Sequence, residues 1–259
     1  MSPRKLWLLA MLAIAGCGGN GSEPPASQSS SAPTAAEDNG AGDASDADAA
    51  AASAPASTLI SNDAGGVSPT SAKFQLGTHY NRLSPTQPTS SAPDRVEVAE
   101  ILWYGCPHCF AFDPYVKTWV ATKPDYVSFV RVPAVWNPLV RLHARAFYTA
   151  DALGKGAEMH DSLFREIHEN NNPLDTEDKL RDFFGKFGVD AAAFKNAFDS
   201  FAVHTKLERA DELNRRYQIR SVPTIVVNGK YVTDAGMAGG YEQLFALINE
   251  LVAAEHAAK

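Results

Sequence analysis

Two cysteines three positions apart, in Cys106-Pro107-His108-Cys109, are the residues of this chain whose type and spacing most clearly indicate chemistry. They follow an apolar run at 96–104 and precede a stretch compatible with a helix. The first turn of a helix presents unpaired backbone N–H groups and the positive end of the helix dipole, so we expect the Cys106 thiol to ionise easily. Because only a thiolate attacks a disulfide, the motif predicts a redox-active pair.

Three other roles for the pair agree less well with the sequence. A zinc site needs two more ligands, which would have to come from scattered histidines such as His79, His143 or His160. Covalent haem attachment needs a histidine directly after the second cysteine, where Phe110 stands. An inert disulfide would close only a four-residue segment and so restrict the unfolded chain very little.

His108 lies between the two cysteines, where an imidazole could stabilise the Cys106 thiolate. A stabilised thiolate favours the reduced protein over its disulfide, so the oxidised protein tends to give its disulfide away. We therefore predict an oxidant in which Cys106 is the exposed nucleophile, Cys109 is the resolving thiol and His108 sets the direction of electron flow.

The elements around the motif follow from local composition. Residues 96–104 are rich in β-branched and aromatic side chains and predict a buried strand. Pro107 suits the first turn of the following helix, because its missing N–H has no partner to lose there. We expect Pro114 to kink this helix near Asp113 and Pro124 to close it.

Further along, residues 126–132 alternate and predict a second strand, and residues 139–217 predict four or five helices. Asp175 and Asp190 stand where helix N-caps belong. An apolar segment at 74–76 predicts a short edge strand.

The C-terminal part predicts a hairpin and a helix. Thr224 to Val227 reads as a strand, Asn228-Gly229 favours a tight turn, and a helix with Leu244 and Leu251 on one face follows. Strands thus open and close the region while helices fill its middle. This order predicts one α/β domain at 73–259, interrupted by a helical insertion at about 138–218.

The N-terminus predicts export. Arg4 and Lys5 precede an apolar run at 6–15 that is too short to span a bilayer but fits a signal sequence. The run ends in Ile14-Ala15-Gly16-Cys17, which resembles a bacterial lipobox, so residues 1–17 are predicted to be a signal with lipid attached to Cys17. The alternative is ordinary cleavage after Ala15, which would leave Cys17 as a stray thiol.

Residues 18–72 have the composition of a disordered linker rich in Ser, Ala, Pro and Asp. They contain seven acids and no base, and this excess equals the net charge of −7 of the whole chain. In the rest of the chain the acidic and basic residues are nearly equal in number, so no basic surface for nucleic acid is predicted.

Two motifs together resemble a known family. The Cys-Pro-His-Cys motif at a strand-to-helix turn, with Ser221-Val222-Pro223-Thr224 ahead of a hairpin and a final helix, is similar to the thioredoxin fold. The helical insertion and the Pro-His dipeptide resemble the DsbA family of periplasmic disulfide oxidoreductases. This resemblance implies that Pro223 is cis and lies against the cysteine pair, and that the Val222 backbone pairs with bound substrate.

The same resemblance implies a role for Glu100, which stands within the first strand. In the family an acid here lies beneath the active site, where it could relay the proton of Cys109. The family also has a lysine companion on the next strand. Here that strand carries no lysine, and Arg131 is the candidate substitute.

As a function, the resemblance implies a monomer that introduces disulfides into exported proteins with free thiols. It also implies periplasmic reoxidation by a DsbB-type quinone-linked membrane protein. The redox-active disulfide Cys106–Cys109 would serve without a metal or organic cofactor. An isomerase or reductase on the same fold is an alternative, although no dimerisation domain is recognisable before Lys73. A copper chaperone is another, but only Met159 and Met237 lie beyond the signal as further soft ligands.

Overall fold

A five-stranded mixed sheet carries the cysteine motif in the computed structural model, which describes residues 73–259. The predicted signal sequence, Cys17 and the predicted linker lie outside the described residues. The strands are β1 (Asn81–Arg82), β2 (Val96–Leu102), β3 (Val127–Pro133), β4 (Thr224–Val227) and β5 (Tyr231–Thr233). The helices are α1 (Pro107–Thr122), α2 (Pro138–Ala152), α3 (Gly156–His168), α4 (Glu177–Gly185), α5 (Ala191–Phe198), α6 (Phe201–Arg216), α7 (Ala235–Ala238) and α8 (Tyr241–Ala257).

The strand order is β1-β5-β4-β2-β3, so the strand that leads into the motif is central. β2 pairs in parallel with β3 and antiparallel with β4. All seven residues of β2 are buried, including Glu97 and Glu100, because strands flank β2 on both sides and helices pack on both faces of the sheet. The predicted thioredoxin-like α/β fold is confirmed.

The predicted hairpin joins β4 to β5. Asn228 and Gly229 both have positive φ, at 52° and 62°, and Lys230 N donates to Val227 O at 2.9 Å. This is the backbone that Asn-Gly favours, because both residues tolerate the left-handed region. A side chain on Gly229 would also meet Gln87 O at 2.0 Å, so the loop before β2 packs directly on this turn.

The predicted edge strand at 74–76 is wrong. Phe74 is buried in the core, and Leu76 makes only a single bridge to Tyr80. The edge strand is instead β1, whose polar and exposed side chains give no hydrophobic signal, because what holds it is backbone pairing with β5.

Helix α1 begins at Pro107, as predicted, and ends before Pro124. It continues through Pro114 without interruption, and the kink expected near Asp113 stays a prediction. Thr118 Oγ1 donates to Pro114 O at 3.0 Å in the turn that follows.

The helical insertion consists of the five helices α2 to α6, in agreement with the prediction. Asp190 caps α5 by accepting from Ala193 N, but α4 is capped by Thr176, whose Oγ1 accepts from Lys179 N. Asp175 instead accepts a hydrogen bond from the Lys179 side chain.

A side-chain contact joins the end of the insertion to the point where it starts. Asn214, near the end of α6, is buried, and its Nδ2 donates to Pro133 O, the last residue of β3, at 3.2 Å. The same group donates to Ala210 O at 2.7 Å. A side chain from the end of the insertion thus holds the chain where the insertion starts.

Three apolar clusters surround the sheet. One lies between the sheet, α1 and α8, a second lies between the sheet, α2 and α6, and a third fills the insertion and reaches both cysteines. In the part of the chain that the structure describes, no helix has the length and apolar character to cross a membrane.

Candidate active site

Cys106 occupies the N-cap position of α1, between the end of β2 and the first helical residue, Pro107. Its backbone is extended, with φ −89° and ψ 118°, and Phe110 N donates to its carbonyl at 3.1 Å. The thiol therefore lies at the helix N-terminus, as the sequence predicts. Both cysteines are free thiols, so the structure represents the reduced protein.

The two thiols differ in access, although less than predicted. Cys109 is fully buried, and Cys106 retains only 7% of its surface. The expectation of a freely exposed Cys106 is therefore wrong. The loop before β4 covers it, and the Cys106 sulfur lies 3.5 Å from Val222 O.

The Cys106 thiol has a pKa lowered from 9.0 to about 6. The largest cause is the hydrogen bond from the Cys109 thiol, which outweighs the effect of burial. Backbone N–H groups of Cys109 and His108 lower the pKa further, and the charge of the His108 side chain lowers it least among these causes. His108 is thus a contributor, and Cys109 rather than His108 is the main stabiliser of the thiolate.

Burial raises the pKa of the Cys109 thiol strongly, and its hydrogen bond to Cys106 raises it further. At neutral pH the reduced site is therefore a Cys106 thiolate that accepts a hydrogen bond from a Cys109 thiol. This asymmetry distinguishes the attacked sulfur from the resolving sulfur.

The Val222–Pro223 peptide bond is cis, as the resemblance implies. Val222 contacts Cys106 through its carbonyl, and Pro223 lines a groove of about 270 Å³ next to the motif. His108 lines the same groove, and Tyr241 and the segment 234–236 complete it. The structure thus brings the two predicted substrate-binding residues to the cysteine pair.

Glu100 and Arg131 face each other across β2 and β3, where they are register partners. Arg131 Nε donates to Glu100 Oε2 at 3.0 Å, so Arg131, the candidate substitute for the lysine that the resemblance implies, contacts this carboxylate. Burial nevertheless raises the pKa of Glu100 from 4.5 to about 7, because it outweighs the attraction of Arg131. The negative charge of Asp113 raises it further.

Sequence reasoning missed the other half of this network, which starts at Asp113 on α1. Asp113 Oδ1 accepts from Arg131 Nη2 at 3.1 Å and lies 2.9 Å from His160 Nε2 on α3. Burial acts to raise the pKa of Asp113, but hydrogen bonds from His160 and Lys117 outweigh it and hold the value at about 2. Asp113 therefore stays ionised.

His160 extends the network to the strand end. Its Nδ1 lies 3.0 Å from the Tyr104 hydroxyl, two residues before Cys106. The signal that could have found His160 is its place on the buried face of α3, next to Met159 and Leu163, where a polar side chain requires partners.

Two more histidines of the insertion contact the segment before the motif. His143 Nδ1 accepts from Trp103 Nε1 at 2.9 Å, and His168 Nε2 lies 2.8 Å from Tyr104 O. The Trp103 ring also packs on the backbone ahead of the motif, so closely that a Cβ on Gly105 would lie 2.3 Å from it. The helical insertion therefore fixes the turn that presents Cys106.

The aromatic residues near the motif are mostly core. Phe112 and Tyr104 are buried, while Trp103 and Phe110 pack partly buried against the insertion. Tyr115 is the exposed aromatic of α1, at 52%.

Asp113, His160 and Asp161 are close enough together to hold a metal ion. The ammonium of Lys117, however, lies 2.7 Å from Asp113 Oδ2 and 2.6 Å from Asp161 Oδ1. A cation of the protein itself therefore already balances these acids.

Comparisons with known proteins agree with this geometry. The family model of the DSBA-like thioredoxin domain matches residues 102–251. The thiol:disulfide interchange protein DsbA of Pseudomonas aeruginosa is 39% identical over 185 residues, covering 71% of this chain and 87% of that protein. The protein of the same name from Azotobacter vinelandii is 38% identical over 188 residues, covering 73% and 87%.

Solved structures give the same result. The crystal structure of Pseudomonas aeruginosa DsbA aligns with a TM-score of 0.68 at 39% identity and covers 71% of this chain and 96% of that one. The structure of the oxidoreductase DsbA from Xylella fastidiosa aligns with a TM-score of 0.67 at 30% identity, covering 71% and 99%.

Proposed function

The chain belongs to the DsbA-like thioredoxin domain family and is a thiol:disulfide oxidoreductase, and we propose that it acts as an oxidant that introduces disulfides into exported proteins. The observation that carries the direction of the reaction is the pKa of Cys106, which is lowered to about 6. A thiolate this stable is a good leaving group, so the protein gives up its disulfide readily.

The reaction starts from the Cys106–Cys109 disulfide. A substrate thiolate attacks the sulfur of Cys106, which breaks that disulfide and forms a mixed disulfide between substrate and Cys106. Cys109 leaves with the electron pair and takes up a proton. A second substrate thiolate then attacks the substrate sulfur of the mixed disulfide. Cys106 leaves as a thiolate, and two electrons have passed from the substrate to the protein.

Glu100 is the proposed proton donor to Cys109. The Cys109 thiolate is disfavoured by burial, and its charge and that of Glu100 destabilise each other. With a pKa of about 7, Glu100 is protonated in a large fraction of molecules at neutral pH and can supply the proton as Cys109 leaves. Arg131 holds the carboxylate in place and stabilises it once it is ionised.

Val222 and Pro223 are the proposed substrate-positioning residues. The Val222 carbonyl lies 3.5 Å from the Cys106 sulfur, so a peptide bonded to Cys106 would run beside this backbone. Pairing through main-chain atoms would suit a protein that accepts many different sequences. Pro107 has no N–H and starts the helix that presents the motif.

We place the reaction in the periplasm. Cleavage before Cys17 and its lipidation would attach the protein to a membrane through the linker at 18–72. A DsbB-type quinone-linked membrane protein would reoxidise the Cys106–Cys109 pair. The protein would work as a monomer, without metal or organic cofactor. Mass spectrometry of the mature N-terminus tests the anchor, because a mature chain that begins with a free amine on Gly16 would contradict it.

The central experiment traps the mixed disulfide. In the Cys109→Ala variant no resolving thiol remains, so exported proteins with cysteines, and the reoxidising partner, should accumulate on Cys106 and be identifiable by mass spectrometry. Cys106→Ala is the matched control and should trap nothing.

Redox equilibration with glutathione separates an oxidant from a reductase on the same fold. A strongly reducing potential would refute the oxidant assignment. Copper titration of the reduced protein tests the chaperone alternative, for which stoichiometric binding with loss of both free thiols would be required.

A further inference from the structure

We propose that the groove beside the cysteine pair selects substrates that carry a lysine or arginine close to the reacting cysteine, and that Asp234 is the residue that makes this selection. The inference rests on the proposed function, because it assumes that an extended peptide binds along Val222 and reacts with Cys106. It goes further in naming a charge preference and its source.

The groove is small, and one of the residues that line it, Val222, contacts the reacting sulfur through its carbonyl. Its volume is about 270 Å³, and Val222 and Pro223 line it next to Cys106. Asp234 and Tyr241 also line it. A peptide strand advances about 3.3 Å per residue, so side chains within a few positions of a bound cysteine reach the groove.

The Asp234 carboxylate is fixed but carries no compensating charge. Its Oδ1 accepts a hydrogen bond from Met237 N at 2.9 Å, which caps the short helix α7. Within residues 73–259 no salt bridge reaches Asp234, whereas the carboxylates of Asp113 and Asp161 both pair with Lys117. One carboxylate oxygen is therefore held by the backbone, and the charge is left to a ligand.

The rest of the lining gives no reason to prefer an anion. Asp234 is the carboxylate among the residues that line the groove, and His108 is the residue there that can become positive. A peptide with Asp or Glu at this place would meet Asp234 at close range without a permanent positive charge to offset it. A lysine or arginine would pair with the carboxylate and lay its apolar stem along the Tyr241 ring.

The size of the effect follows from the setting. Asp234 is partly exposed, and ion pairs in such positions change equilibria by modest amounts that salt reduces. We expect a lysine at the best position to raise the rate by about two- to fivefold over alanine, with the preference lost at high salt.

The test measures how fast single-cysteine peptides reduce the oxidised full chain. Lysine, alanine or glutamate is placed in turn at each of about three positions on either side of the cysteine. Neighbouring charges also alter the thiol of the peptide itself, so each lysine-to-alanine rate ratio is compared between the wild type and Asp234→Asn. Asparagine keeps the helix cap, and a thermal melt checks folding. Glu242→Gln is the control, because it removes one negative charge from a residue outside the groove.

The inference predicts that Asp234→Asn lowers the lysine-to-alanine ratio by about two- to fivefold at one or two adjacent positions, and that Glu242→Gln leaves it unchanged. Equal ratios in the wild type and Asp234→Asn, with both proteins active, would overturn this inference alone. If the wild type oxidises neither the peptides nor a small dithiol, the proposed function itself is wrong and this inference falls with it.

Discussion

The lowered pKa of Cys106 makes the stability of the reduced protein depend on pH in a way that the oxidised protein cannot share. A thiol whose pKa is lower in the folded protein than in the unfolded chain contributes stability above the unfolded value, and that stability is lost as the pH falls through the folded value. For Cys106 the two values are 9.0 and about 6. The oxidised protein has no thiol at this position and lacks the contribution.

The magnitude follows from the two titration curves. At pH 7 the folded thiol is about nine-tenths ionised and the unfolded thiol about one-hundredth, which corresponds to about 1.4 kcal/mol in favour of the reduced fold. Near pH 5 the contribution is close to zero. For a domain of this size 1 kcal/mol shifts the melting temperature by about 2 to 4 °C, so the reduced form should gain about 3 to 6 °C over the oxidised form between these pH values.

Thermal unfolding followed by circular dichroism provides the assay, with the protein either oxidised or held reduced by a phosphine. Measurements stay below about pH 8, because above it the raised pKa of Cys109 counts against the reduced fold. Glu100 titrates in the same range, and Glu100→Gln, measured in both redox forms, removes its contribution. We expect the reduced form to melt higher at pH 7. A gap that does not change with pH, or an oxidised form that is more stable at pH 7, would refute the reasoning.

Three further experiments test the site. Glu100→Gln should slow single-turnover oxidation of a dithiol peptide by about ten- to a hundredfold. The pH profile of this rate should also lose the ionisation near pH 7. An unchanged profile would exclude Glu100 as the proton donor. His108→Ala should raise the pKa of the Cys106 thiol less than Cys109→Ala does, as read from ultraviolet thiolate absorbance, and the reverse order would contradict the structure. Gly105→Ala should lower the free energy of unfolding by about 1 to 3 kcal/mol in denaturant titrations, because the added carbon overlaps the Trp103 ring; an unchanged midpoint would show that the ring moves aside freely.

Features set by neighbouring residues could be predicted from the sequence. The apolar run before Cys106, the Asn228-Gly229 turn and the amphipathic C-terminal helix depend on local propensity and periodicity, and all three are present. The sequence does not distinguish between two neighbouring candidates for a helix N-cap. Asp175 and Thr176 are both good capping residues, and only the position of α4 decides that Thr176 accepts the bond.

Features that depend on how the insertion packs could not be predicted. Asp113 and His160 are separated by 47 residues, and nothing in either segment indicates that α1 and α3 bring them to hydrogen-bond distance. The Glu100–Arg131 contact could be predicted from the sequence, because two parallel strands in register place these residues opposite each other. The burial of Cys106 could not be predicted, because the loop that covers it, at Val222, is more than a hundred residues away in the sequence.

The hydrogen bond from Asn214 to Pro133 has a consequence for how such a protein can change over evolutionary time. A segment whose two ends meet at one point can grow, shrink or be exchanged without stretching the strands on either side. The contact fixes the distance between its ends, and the entropic cost of closing a loop at this place grows only slowly with the length of the segment. Helices α2 to α6 can therefore be regarded as a module inserted into a simpler sheet domain, with Asn214 linking the end of the module to the strand from which it starts.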